Sequence, residues 1–204
     1  MFYENILHRI FHLYVMKKLL YFLSFLLFAA SCSEDAEFTT EYQCFFIYDL
    51  NIHNTSIINN AVNPVSSGVY AKITSIPKNG LRCIVSELND GKTHENEMIT
   101  TEREMRQTCI LGCANGIIVG NSTLGGGLYA FDAQCPNCVK QFALYKYPLS
   151  WDNNGNWVKC AKCGRKYDLN NNGFVIEGEK GSHLFRYKAY YTTTPYGNVL
   201  NVRN

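Results

Sequence analysis

The sequence predicts an all-β fold in which antiparallel strands form a small sandwich or barrel. Past residue 40, short runs of residues are rich in β-branched and aromatic side chains. Turn sequences built from Gly, Asn, Asp and Pro separate these runs. The same part of the chain shows no alternation of strands with long helices, which a parallel sheet would require.

Each predicted strand mixes β-branched with aromatic or other apolar residues. In chain order they are Gln43–Tyr48 (QCFFIY), Gly68–Ile76 (GVYAKITSI), Leu81–Leu88 (LRCIVSEL), Gly116–Val119 (GIIV), Leu128–Asp132 (LYAFD), Gly173–Glu177 (GFVIE), Leu184–Tyr191 (LFRYKAYY) and Val199–Val202. The predicted turns are Pro77–Gly80, Asn89–Gly91, Gly125–Gly127, Asn153–Gly155 and Asn170–Gly173. Short helices are predicted over residues 53–62 and over Thr100–Arg106.

The charge balance gives no indication of a nucleic-acid partner. The chain has 204 residues and a formal net charge of +2. Residues 32–204 carry sixteen acidic and sixteen basic side chains, so this part of the chain is formally neutral. Nucleic-acid binding depends on clustered positive charge. The partner is left open by the composition, and a protein or a glycan is compatible with it.

The N-terminus has the pattern of an export signal. From Met16 the chain reads MKKLLYFLSFLLFAASC, with two lysines, an apolar run over Leu19–Phe28, three small residues and then Cys32. The apolar run is too short to remain as a membrane-spanning helix. The pattern resembles a bacterial lipobox, which implies that Cys32 is acylated and becomes the first mature residue. Ser33 follows it, which by the same resemblance favours the outer membrane, facing the periplasm or the cell surface.

We therefore expect three regions along the chain. Residues 1–31 form a leader and signal peptide whose true start is predicted at Met16, and residues 32–40 form an acidic tether. Residues 41–204 form a single β domain with metal-binding loops at residues 133–166. An ordinary signal peptide without lipidation is the alternative for the N-terminus.

Four of the nine cysteines have the spacing of a metal site. Cys135 and Cys138 form one CxxC pair, Cys160 and Cys163 form a second, and 21 residues lie between the pairs. Two residues between cysteines let both sulfurs of a tight turn face one ion, and Gly164 permits the backbone conformation that such a turn needs. Four sulfurs describe a closed, structural tetrahedral site. Disulfides are the alternative, because an exported protein meets an oxidising compartment.

The remaining candidate residues are expected to have structural roles. Cys44 and Cys83 are expected to be buried thiols or a disulfide, and Cys109 and Cys113 are open to the same two interpretations. We expect His53, His94 and His183 in polar loops, and His183 could lie near the metal. Asp132 and Asp168 are expected to brace the metal loops. No arrangement of nucleophile and base emerges, so the protein is predicted not to be an enzyme.

Two segments resemble the cluster-binding regions of Rieske iron-sulfur domains. Leu128–Cys138 (LYAFDAQCPNC) and Lys159–Tyr187 (KCAKCGRKYDLNNNGFVIEGEKGSHLFRY) carry the motifs Tyr-Ala-Phe-Asp, Tyr-Asp-Leu and Leu-Phe-Arg-Tyr. The resemblance covers about residues 116–191. It implies a Rieske-like β-sandwich or barrel. The cysteine spacing adds a metal-binding subdomain with two CxxC turns, or knuckles, like those of rubredoxins and zinc ribbons.

The sequence departs from the Rieske pattern at both ligand histidines. Cys138 stands where the first histidine belongs, with one extra residue of spacing, and Cys163 replaces the second. Two imidazoles on one iron give Rieske clusters their high potential, and four cysteines cannot do so. We expect zinc first, a [2Fe–2S] cluster second and a single iron third. The predicted function is a binding or assembly module of the envelope, and the alternative is an electron-transfer protein.

Overall fold

The computed structural model describes Lys18, residues 38–194 and residues 197–204. The predicted signal peptide, apart from Lys18, and the predicted lipid attachment site Cys32 lie outside the described residues. The boundaries expected for the leader and the tether therefore stay predictions. Phe38–Asn204 form one compact unit. In the part of the chain that the structure describes, no helix has the length and apolar character needed to cross a bilayer.

The described residues form thirteen strands, and every pair of neighbouring strands is antiparallel. The strands are β1 (Cys44–Asp49), β2 (Tyr70–Lys78), β3 (Leu81–Leu88), β4 (His94–Met98), β5 (Ile110–Leu111), β6 (Gly116–Asn121), β7 (Leu128–Asp132), β8 (Leu149–Asp152), β9 (Trp157–Cys160), β10 (Lys166–Asp168), β11 (Phe174–Glu177), β12 (Arg186–Thr194) and β13 (Gly197–Arg203). The predicted all-β, antiparallel class is confirmed.

The strands form a large and a small sheet. The large sheet has nine strands in the order β4-β3-β2-β6-β7-β12-β13-β1-β5, and the small sheet has four in the order β11-β10-β9-β8. The hairpin between β2 and β3 turns at Asn79 and Gly80, which both have positive φ angles, of 52° and 76°. Two consecutive positive φ angles match the right-handed twist of the flanking strands, which is why Asn-Gly is favoured there.

Two hydrophobic cores lie on the opposite faces of β6 and β7. Ile117 and Val119 pack into a core with Phe46 of β1 and Leu200 of β13. These strands are far apart in the sheet order, so the large sheet curls around this core. Ile118 points to the other face, into a second core that contains the four clustered cysteines. Because a strand alternates its side chains between faces, β6 is buried along its whole length.

Three short α-helices, α1 (Ile58–Val62), α2 (Glu102–Arg106) and α3 (Pro136–Phe142), and one 3-10 helix (Asn153–Gly155) complete the fold of residues 38–204 as described. The first two lie within the predicted helical segments. The third was not predicted, and it changes the description of the first CxxC pair. We expected a tight turn there, similar to the one at the second pair, but the structure has the start of a helix.

Candidate metal centre

The first cysteine pair opens helix α3. Cys135 is the N-cap residue, Pro136 occupies the first turn, and Cys138 lies in the same turn. Proline suits this position because its fixed φ angle is helical and its missing N–H would have no partner inside the helix. The segment that leads in from β7 is held by two backbone contacts: Cys135 N–H donates to the Tyr147 carbonyl at 2.9 Å, and Leu149 N–H donates to the Ala133 carbonyl at 2.8 Å.

The second pair lies on a tight turn between β9 and β10. Cys160 ends β9, and the Gly164 N–H donates to the Cys160 carbonyl at 2.9 Å. Cys160 N–H donates in turn to the Arg165 carbonyl at 3.0 Å, which closes the turn. Gly164 has a φ angle of 73°, in the left-handed region that side chains rarely adopt. This agrees with the prediction that the turn needs a glycine directly after Cys163, the second cysteine of this pair.

The structure brings the four predicted cysteines together. Their sulfur atoms all lie within 4.8 Å of one another. The Sγ atoms of Cys135 and Cys163 are 3.7 Å apart, and those of Cys138 and Cys160 are also 3.7 Å apart. Three of the residues are buried, and Cys163 is partly exposed. The four thiols therefore form a group that could hold a metal ion, and each close pair joins the first cysteine segment to the second.

A tyrosine and an asparagine support this group. The Tyr167 hydroxyl lies 3.1 Å from the Cys135 sulfur, and Asn137 Nδ2 donates to the same hydroxyl at 3.0 Å. Either the hydroxyl or a Cys135 thiol can be the donor in this contact, whereas a Cys135 thiolate would accept the hydroxyl proton. Asn137 also bonds both backbone groups of Ser182, at 2.8 and 2.9 Å. Asn137 thus joins helix α3 to the loop that precedes β12, a contact that sequence reasoning missed.

The electrostatic surroundings of the four thiols differ. Burial raises the pKa of Cys135 to about 11, although the Tyr167 hydroxyl partly counteracts it. Burial and the neighbouring cysteines also raise the pKa of Cys138. Burial opposes ionisation of Cys163 as well, but hydrogen bonds from the backbone and side chain of Arg165 outweigh it and lower the pKa to about 7. Cys163 is therefore the thiol that ionises first among these three.

Arg165 is a buried cation beside the cluster. Its side chain is 8% exposed, and its guanidinium donates to the Glu179 carbonyl at 2.8 Å and to the Glu179 carboxylate at 2.7 Å. The hydrogen bond to Cys163 raises the pKa of Arg165. A fixed positive charge next to four sulfurs partly offsets the negative charge of thiolates around a divalent ion.

Asp132 organises the approach to the first pair. Its carboxylate accepts from the N–H of Cys113 at 2.7 Å, the N–H of Gln134 at 2.8 Å and the hydroxyl of Tyr187 at 2.8 Å. Burial raises the pKa of Asp132 despite these hydrogen bonds. Asp168 accepts from the backbone of Asn170 at 2.9 Å, in the turn that follows β10. Both aspartates hold loops next to the cysteine segments, and neither belongs to the cluster.

His53 lies in the polar loop between β1 and α1, as predicted, but its side chain is buried. His53 is 4% exposed and stacks on Tyr48, with the ring centroids 4.6 Å apart. Its Nδ1 lies 2.9 Å from a carboxylate oxygen of Glu97, and its Nε2 lies 2.9 Å from one of Glu104. The structure therefore holds a Glu-His-Glu group in which His53 and Glu104 are buried and Glu97 is partly exposed. Sequence reasoning missed it, because the two glutamates lie 44 and 51 positions from His53.

The other candidates lie outside the cluster. His183 packs edge-on against Phe174 at 5.7 Å, and His94 is an exposed residue at the start of β4. Cys44 and Cys83 are buried free thiols, so the alternative of a disulfide between them is wrong. Cys109 and Cys113 are also free, and the Cys113 sulfur lies 3.2 Å from the Asp132 carboxylate.

A scan of the sequence against protein-family models finds no match, and a search of curated proteins finds none either.

Proposed function

We propose that the four cysteines hold one structural zinc ion, which clamps helix α3 to the turn between β9 and β10. The observation that carries this proposal is the pair of 3.7 Å sulfur–sulfur distances. A zinc–sulfur bond of about 2.3 Å in a regular tetrahedron places its sulfurs about 3.8 Å apart. The cysteines therefore fit a single tetrahedral ion with little movement, and four protein ligands leave no coordination position for a substrate.

The alternative is an electron-transfer protein with a [2Fe–2S] cluster. Such a cluster contains two irons, each bound by two cysteines. Cysteine sulfurs on different irons therefore lie farther apart than cysteine sulfurs that bind one common ion. The compact group of sulfurs therefore favours a mononuclear site. The hydrogen bond from Tyr167 to Cys135 favours a redox role, because hydrogen bonds to ligand sulfurs tune a cluster's potential.

A Rieske-like arrangement remains part of the proposal. The Tyr-Ala-Phe-Asp motif lies on β7 and leads to Cys135, and the Tyr-Asp-Leu motif starts on β10 directly after the second pair. The closing motif leads into β12, where Arg186 pairs with Phe131 of β7. The Tyr-Ala-Phe-Asp and Leu-Phe-Arg-Tyr motifs therefore lie on neighbouring strands of one sheet, which supports a common cluster-bearing layout.

We further propose that the chain is an outer-membrane lipoprotein anchored through acylated Cys32, and that it acts in binding or assembly rather than as an enzyme. The lipobox-like sequence supports the anchor. The closed set of four thiols supports a structural role for the metal, because catalytic zinc sites keep an open position. The partner in this role is a protein or a glycan.

Metal analysis of the native, membrane-extracted protein tests this function. We expect a colourless protein with one zinc per chain and an N-terminal mass that includes acyl chains on Cys32. Two irons per chain, with absorption bands in the visible region, would contradict the structural zinc site and support the electron-transfer alternative. A chain without metal, or with the four cysteines oxidised to disulfides, would contradict both functions.

A further inference from the structure

Next to the metal centre, the chain exposes an apolar ridge between two lysines. Residues Lys140–Lys146 (KQFALYK) are all exposed. We define the ridge as Phe142, Leu144 and Tyr145, whose exposed fractions are 41%, 44% and 56%. Soluble surfaces carry isolated apolar residues as a rule, whereas contiguous ones mark a contact surface. Lysines beside such residues can extend their charged ends towards phosphate groups.

The ridge is held in place by the cysteine segments. It begins at the last residue of α3, the helix that starts at Cys135. The ammonium of Lys162, next to Cys163, lies 5.4 Å from the centre of the Phe142 ring. At its other end the loop returns to the first pair, because the Tyr147 carbonyl accepts from the Cys135 N–H. Both cysteine segments therefore fix the direction in which the ridge points.

The described chain also begins beside this ridge. The ring of Tyr42 lies 5.8 Å from that of Tyr145 and 4.9 Å from that of Phe185. Lys140 in turn lies over the Phe185 ring at 5.3 Å. The chain that comes from Cys32 therefore enters the domain at the end that carries the ridge.

The length of the intervening chain limits how far the domain can be from an anchor at Cys32. Five residues separate Cys32 from Phe38, and they can span about 20 Å when fully extended. A compact domain of this size is about 40 Å across. An anchored domain is thus kept with its entry end, and the ridge, towards the bilayer.

We propose that the ridge lies against the phospholipid surface of the membrane that holds the acyl chains, and that the cysteine clamp sets its orientation. This inference rests on the proposed lipoprotein function. The apolar side chains enter the boundary between headgroups and acyl chains, and Lys140 and Lys146 bind lipid phosphates. The sequence between Cys32 and β1 contains the acidic residues Glu34, Asp35, Glu37 and Glu41, so we expect contact to depend more on the apolar side chains than on anionic lipid.

Fluorescence quenching by brominated lipid tests this orientation. The full acylated protein carrying L144W is reconstituted into vesicles of phosphatidylethanolamine with brominated acyl chains, with and without phosphatidylglycerol. The matched control is L124W, because Leu124 is 69% exposed and precedes β7, while the ridge lies at the other end of that strand. The unsubstituted chain, which contains Trp151 and Trp157, supplies the background.

We expect the indole introduced by L144W to lose roughly half of its emission, because the bromines lie at the depth that an interfacial side chain reaches. The indole introduced by L124W should keep its emission, and phosphatidylglycerol should change neither result. The inference would be overturned if both variants were quenched equally strongly, and also if neither variant were quenched. A strong requirement for phosphatidylglycerol would also overturn it, because the contact would then be electrostatic.

Intact mass and zinc content separate this test from a failure of the proposed function. If Cys32 carries no acyl chains, the lipoprotein assignment is wrong, and the orientation that rests on it is wrong as well. If the chain is acylated and contains zinc but L144W is not quenched, the ridge does not face the bilayer and the proposed function stands.

Discussion

Removing the metal should lower the stability of the domain by an amount set by the loop that it closes. The ion would link Cys138 to Cys160 across 21 residues. The chain-entropy model for a covalent cross-link of that length gives about 3 kcal/mol at 25 °C. For a domain of this size, such a change moves the melting temperature by roughly 6 to 12 °C. The perturbation can be made by chelation or by the substitution Cys160→Ser.

Thermal unfolding followed by circular dichroism, with and without a strong chelator, measures this effect. Cys83→Ser is the matched control, because Cys83 is a fully buried free thiol outside the cluster. The wild type and C83S should both lose roughly 6 to 12 °C on chelation. C160S should melt at the lower temperature from the start and should not respond to the chelator.

Two results would refute this reasoning. One is a wild-type melting temperature that stays unchanged after mass spectrometry shows that the metal has been removed. The other is a C160S variant that still contains one metal per chain and still responds to the chelator. In either case the ion would not act as a cross-link between the two cysteine segments.

Four further predictions concern the surroundings of the site and the fold. Tyr167→Phe removes the hydroxyl that donates to Cys135, so zinc affinity should fall about tenfold in a competition assay, as for other hydrogen bonds to charged groups; unchanged affinity would show that the bond is not made to the thiolate. Because burial raises the pKa of Cys135 to about 11 and also raises that of Cys138, both thiols are protonated at neutral pH without metal. Zinc binding should therefore release at least about two protons per ion and strengthen as the pH rises, measured with an indicator dye, and release of fewer than one proton would contradict the assignment. A Cβ at Gly112 would clash with Asp132 Oδ2, whereas Gly80 has a similar positive φ angle and open space. In urea unfolding, Gly112→Ala should therefore cost several kcal/mol more than the roughly 1 kcal/mol of backbone strain expected for Gly80→Ala, and equal losses would disprove the close approach. His53→Ala leaves the buried Glu104 carboxylate without its imidazole partner, so it should destabilise the domain by about 1 to 3 kcal/mol. His94→Ala, at an exposed position, should change stability by at most about 0.5 kcal/mol in the same urea titration, and similar effects of the two substitutions would argue against a buried His53.

Strands rich in β-branched and aromatic residues could be predicted from the sequence, whereas polar or very short strands could not. The bounds of β3 and β7 match the predicted segments. Strand β4 (HENEM) was missed because it lies at the edge of the sheet, where polar side chains are tolerated. Strand β10 (KYD) was missed because its three residues are too few to show a pattern of their own.

The candidate site shows the same division between local and long-range information. Spacing identified the four cysteines, because a CxxC pair brings two sulfurs together locally. The helix at the first pair was missed, although Pro136 after an N-cap position is a known helix-start signal. The contacts of Asn137 with Tyr167 and Ser182 join residues 30 and 45 positions apart, and a single sequence does not contain that information.

The double burial of β6 has a consequence for attempts to isolate the cysteine-bearing half. A fragment of residues 116–191 would retain Ile118 and its packing around the thiols, yet Ile117 and Val119 would lose Phe46 and Leu200 and meet water. Such a fragment would be expected to aggregate through that uncovered side. The cysteine loops are therefore not expected to fold as an independent unit. Grafting or truncation studies should keep the chain from residue 38 to its last strand intact.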